Sequence, residues 1–132
     1  MPLTVVLKDP NRYDYTAVQE FEDQHFATAD SLFNIYLKTC SNNVGVLGIV
    51  AFTKAALLQT DDAILYGEKC VQYNKRDYYA LCALGGAYGD KGMFEKSLSY
   101  LKGALEVKPG NPLAQQIYAN VAKRQQEAGY KR

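Results

Sequence analysis

One histidine, three cysteines and no CxxC pair leave the chain short of metal-binding side chains. Cys40, Cys70 and Cys82 stand at no ligand spacing, and His25 is alone. A zinc site takes about four such ligands, so no metal is expected. An odd set of free thiols fits a reducing compartment better than a secreted one, which points to a cytoplasmic location. Each cysteine reads as a small buried hydrophobe. No charge of one sign dominates either. Fifteen Lys and Arg against 14 Asp and Glu give a net +1, too little for the basic footprint of a nucleic-acid binder. The charge is uneven all the same, net −3 over residues 1–43 and +4 over residues 44–132. Long hydrophobic runs are also missing. The longest, Val44 to Phe52, breaks at Thr53 and Lys54, well short of the roughly 20 residues a spanning helix needs, so no membrane insertion is expected. No basic start, apolar stretch and cleavage site opens the chain. A soluble part of a longer protein would read the same way.

Glycine is plentiful in one place. The stretch LGGAYGDKG, Leu84 to Gly92, holds four glycines and a lysine. A phosphate-cradling loop would need a hydroxyl after the lysine, or Gly-x-Gly-x-x-Gly after a strand. Here Gly92 follows Lys91, Asp90 precedes it, and Tyr78 to Leu84 reads as helix. A nucleotide site is therefore not expected. Gly85, Gly89 and Gly92 recur at four and three residues, which places them on one helix face. Interior glycine costs about 1 kcal/mol against alanine, a cost that close approach of a second helix offsets. The spacing predicts a helix over Tyr79 to Lys91, ended by Gly92 in the left-handed conformation.

Helical periodicity continues in both directions. Met93, Phe94, Leu98, Leu101, Ala104, Leu105 and Val107 follow in steps of three and four. Asp77 and Thr60 stand as N-caps before apolar runs. Asn111 and Pro112 open a last helix running to about Ala128. About seven helices joined by short turns are predicted. Only Leu3 to Leu7, LTVVL, lacks the helix period and reads as extended, between Pro2 and Pro10. The chain thus divides into an extended segment, 1–9, and a helical domain, 10–132.

Leu81, Leu84, Gly85, Tyr88, Gly92, Phe94, Ser97, Leu101, Ala104 and Pro109 fall at the offsets of a 34-residue helix–turn–helix. This pattern resembles the tetratricopeptide repeat. Thirty-four residues earlier stand Leu47, Val50, Ala51, Ala63 and Cys70, small or apolar like their counterparts. Lys54, Leu58, Gly67 and Lys75 depart from it. A third, weaker unit shows Tyr13, Ala17, Ala29, Phe33 and Tyr36. The resemblance gives repeats at about 10–43, 44–77 and 78–111 with a capping helix over 112–128.

The resemblance implies an all-α solenoid of antiparallel helix pairs, a right-handed superhelix whose concave groove is lined by the first helix of each unit. The groove positions it assigns are Asp14, Val18, Phe21 and Glu22; Gly48, Phe52, Ala55 and Ala56; Tyr79, Cys82, Ala83, Gly86 and Asp90; and Gln116, Asn120, Lys123 and Arg124. Phe52 and Tyr79 would form an aromatic floor, with Ala83 and Gly86 leaving room. Asn120 would bond a partner's backbone, and Lys123 or Arg124 would meet an acidic residue. The basic clamp that some family members use on chaperone tails is absent: its places hold Asp14, Val18, Ile49, Tyr79 and Ala83. Tyr78, Tyr88 and Tyr100 read as packing residues. His25 has no nucleophile beside it, and no catalytic residue, cofactor or enzyme activity is expected. The implied function is a protein–protein interaction module, an adaptor or scaffold holding a peptide or helix of a partner. The alternatives are a self-assembly module of a larger complex and a small secretion-type chaperone.

Overall fold

The computed structural model describes residues 10–39 and 44–130, with backbone alone at 10–15, 39, 44 and 130. The LTVVL segment and Cys40 lie outside these residues. Among the described residues there are seven helices and no strand. They are α1 (Pro10–Glu22), α2 (Phe26–Thr39), α3 (Val44–Ala56), α4 (Thr60–Tyr73), α5 (Tyr78–Asp90), α6 (Phe94–Val107) and α7 (Pro112–Tyr130). The odd helices begin at residues 10, 44, 78 and 112, each 34 after the last, and the even ones at 26, 60 and 94.

The same period governs the turns, in bonds rather than in residue types. His25, Gln59 and Met93 each donate their backbone N–H to a carbonyl five residues back, on Glu20, Lys54 and Tyr88, at 2.8–2.9 Å. The residue before each, Gln24, Leu58 and Gly92, has φ of 63°, 62° and 78°. This is the left-handed C-terminal turn that satisfies orphan carbonyls. Only Gly92 adopts it without steric cost; Leu58 does so while 80% exposed. The α4–α5 and α6–α7 loops also match: Asn74 donates to the Cys70 carbonyl and Lys108 to that of Ala104.

Helix starts are fixed by short polar side chains. Asp77 accepts from the Ala80 N–H at 3.0 Å, and Asn111 from the Leu113 N–H at 2.9 Å. Thr60 does not cap. It is the first helical residue, and Gln59 before it makes no side-chain cap bond.

Each helix packs on the next, and α1, α3, α5 and α7 also pack on one another in order. The even helices do not approach one another backbone to backbone, although the Tyr100 side chain of α6 reaches Glu68 of α4. The odd helices thus form one layer and the even helices a second. Ala17, Phe21, Leu32, Phe33 and Val50 lie in the core at the N-terminal end, and Tyr78, Leu81, Cys82, Ala104 and Ala114 at the other. Phe52 and Tyr79 pack against both clusters.

Two glycines allow this closeness. A Cβ on Gly85 would strike the fully buried Leu101 side chain, and one on Gly89 would lie 2.8 Å from Val121. Gly92 does not extend this stripe as the spacing suggested. It lies in the turn, with nothing near its Cβ position. Gly67 stands where the period places Leu101, and the Leu84 side chain fills its space.

Lys54, a departure from the repeat pattern, is buried. Its Nζ lies 2.7 Å from Asp30 Oδ1 and 3.1 Å from Asn34 Oδ1. Tyr88 occupies the same place one unit on, and its hydroxyl bonds Glu68 at 3.1 Å. Asn34 and Glu68 are themselves 34 apart, so one contact is made twice with different chemistry. Tyr100 adds a 2.7 Å bond to Glu68 and stacks on Tyr88 at 5.8 Å. Burial first, then the Glu68 bond, pushes the Tyr100 phenol up. Tyr78 and Tyr88 are buried as the repeat pattern predicted.

Candidate functional site

Two clefts open on the layer of odd helices. The larger, about 520 Å³, has Phe21 and Glu22 of α1, Phe26 of α2, Phe52 of α3, Tyr79 of α5 and Leu113 of α7 in its wall. The smaller, about 280 Å³, runs between α3, α5 and α7 past Gly86, Asp90, Ile117, Asn120 and Arg124. Phe52, Ala56 and Leu113 line both, so the two adjoin.

The larger cleft is an aromatic chamber. Phe21 meets Phe26, Phe52 and Tyr79 edge to face, with ring centroids 5.2–5.8 Å apart. Phe52 contacts Tyr79 at 5.7 Å. Such offset and T-shaped pairs suit the aromatic quadrupole. The Tyr79 phenol is pushed up by burial, with the Glu22 carboxylate adding to it. Lys108 lies over Tyr78 and Tyr79, 4.9 and 5.7 Å from the ring centroids.

Most of the positions assigned from the sequence do gather here. Phe52, Tyr79, Gly86, Asn120 and Arg124 line one cleft or both. Ala83 does not: it is fully buried and touches neither cleft. The same position one unit on is Ile117, which lines the smaller cleft. α5 has odd helices on both sides, whereas no helix follows α7 among the described residues. Lys123 is exposed but lines neither cleft. Arg124 already has an acid beside it, its Nη1 lying 3.0 Å from Asp90 Oδ1. Gly48 also lies outside the clefts; a Cβ there would collide with Asp77. The side chain of Asp14 lies outside the described residues.

Phe52 and Tyr79 are both wall and core, since they join the two packed clusters. Gln24, Phe26, Asn111, Leu113 and Ile117 were missed from the sequence. Leu113 was within reach of it: the 34-residue step carries Tyr79 there. His25 sits just before α2, exposed, with Nδ1 2.7 Å from Glu20. Among the described residues no group of three His, Cys, Asp or Glu side chains is placed to hold a metal. No described helix is long and apolar enough to cross a membrane. No protein-family model matches this chain, and no curated protein matches it.

Proposed function

We propose that the chain is a tetratricopeptide-type solenoid of three units and a closing helix, and that it holds a segment of another protein along its odd helices. The adjoining clefts carry this reading: they run across α1, α3, α5 and α7 and share Phe52, Ala56 and Leu113. The 34-residue recurrence of helix starts and left-handed turns supports the repeat assignment. A polar outer face on α7, with Gln115, Gln116, Lys123 and Gln126 exposed, suits a terminal cap. The role is non-enzymatic, that of an adaptor. Buried, unpaired Cys70 and Cys82 suit a reducing, cytoplasmic setting.

Gly86 supplies the test. It lines the smaller cleft, and a Cβ there meets nothing within 4 Å. Gly86→Leu therefore plugs the cleft while leaving the fold intact. A partner captured by the intact protein and lost by this variant, at an unchanged circular-dichroism melt, supports the reading. Equal capture by both would move the site off this face.

A further inference from the structure

Resting on the groove reading above, we infer that the aromatic chamber takes a basic side chain, arginine or lysine, of the partner polypeptide. The argument begins with charge. Among the described residues, the charged side chains lining either cleft are Glu22, Asp90 and Arg124. Asp90 and Arg124 neutralise each other at 3.0 Å. Glu22 is exposed, and among the described residues no cation pairs with it. Among the described residues, the clefts therefore carry one uncompensated charge, and it is negative.

The walls around Glu22 add to the same preference. Phe21, Phe26, Phe52 and Tyr79 enclose the chamber with rings set at angles to one another. Ring faces attract cations, the more so where water is displaced. This cluster already attracts one, because Lys108 sits over Tyr78 and Tyr79 without lining the chamber. An acidic anchor would meet Glu22 and the rings' negative faces with no cation in the lining to receive it. A polypeptide fits better than a small cation because the chamber continues into the second cleft, which gives flanking residues a place to lie.

The inference is tested by nuclear magnetic resonance titration of the whole protein. The probes are a capped peptide, Ala-Leu-Arg-Leu-Ala, its versions with Lys, Gln or Glu in place of Arg, and tetramethylammonium chloride alone. The Arg and Lys peptides should shift the amide signals of Phe52, Tyr79 and Leu113. The Gln version should bind about tenfold more weakly, the scale of a partly desolvated cation–π contact with its counter-ion, and the Glu version more weakly still. Glu22→Gln should remove most of the Arg-over-Gln preference. Lys108→Ala, which removes a competing cation, should strengthen Arg binding severalfold. Equal affinity for Arg and Gln peptides at the chamber would sink the charge preference yet leave the groove reading standing. An Arg preference untouched by Glu22→Gln would overturn Glu22 as the group that selects the cation. Tetramethylammonium binding as tightly as the Arg peptide would refute a polypeptide occupant. Absence of any shift at the chamber with every probe would reject the basic anchor, and the Gly86→Leu capture experiment then decides the groove reading separately.

Discussion

Neighbouring glycines on one helix have opposite duties. Gly85 faces the fully buried Leu101, which has nowhere to move, whereas Gly86 faces open space. Gly85→Leu should lower stability by about 1–3 kcal/mol or more through overpacking. Gly86→Ala should raise it by up to about 1 kcal/mol through helix propensity. Urea unfolding of the pair checks both signs, and a loss at Gly86 would mean that the cleft is closed there. Leu58 is a second informative residue. It holds φ at 62° while 80% exposed, so it bears backbone strain with little burial in return. Left-handed backbone costs a non-glycine residue about 1–2 kcal/mol, and glycine's extra unfolded freedom returns about 0.5–1 kcal/mol of that. Leu58→Gly should therefore stabilise the protein by about 0.5–1 kcal/mol, read as a raised urea midpoint at unchanged slope.

Between elements, the pairing of Lys54 with α2 governs how α3 seats against its neighbour. The side chains of Lys54 and Asp30 are only 6% and 13% exposed. Removing one member of such a pair strands the other, at a cost of about 3–5 kcal/mol. Lys54→Met should show that loss, and adding Asp30→Leu should recover most of it. A single variant as stable as the parent would show that the pair contributes nothing net. None of this was legible in the sequence, where Lys54 looked only like a departure from the pattern; its partners stand 20 and 24 residues earlier, on another helix. Gly85 and the Asp77 cap were legible because they act within a helix or on its immediate neighbour. The full burial of Ala83 and the only partial burial of Ile117 were not. They depend on whether another helix follows, and no local period records that. The Asp90–Arg124 pair escaped for the same reason: its members occupy equivalent places in successive units and meet only when those units pack.

For the molecule as a whole, burial of weak acids sets the alkaline limit. Burial, with Asp77 beside it, pushes the Cys70 thiol from 9.0 up to about 12. Burial pushes Cys82 from 9.0 to about 12, and the Tyr78 phenol from 10.0 to about 12. The folded chain thus keeps protons that the unfolded chain releases. Stability from these groups is full below about pH 9 and is lost as pH rises toward about 12. Urea midpoints should hold from neutral pH to about 8.5 and then fall. Near pH 8, a thiol reagent should reach Cys70 and Cys82 only on unfolding; rapid labelling of the folded protein at either would contradict their burial. The recurring turns have a different consequence. Gln24, Leu58 and Gly92 close their turns with the same bonds, so what one unit offers the next does not depend on which residue stands in the turn. The chain's reach is then a matter of counting. A second copy of residues 78–111 spliced between Asn111 and Pro112 should fold as one more rung, lengthening the layer of odd helices and setting a second tyrosine where Leu113 now closes the aromatic chamber.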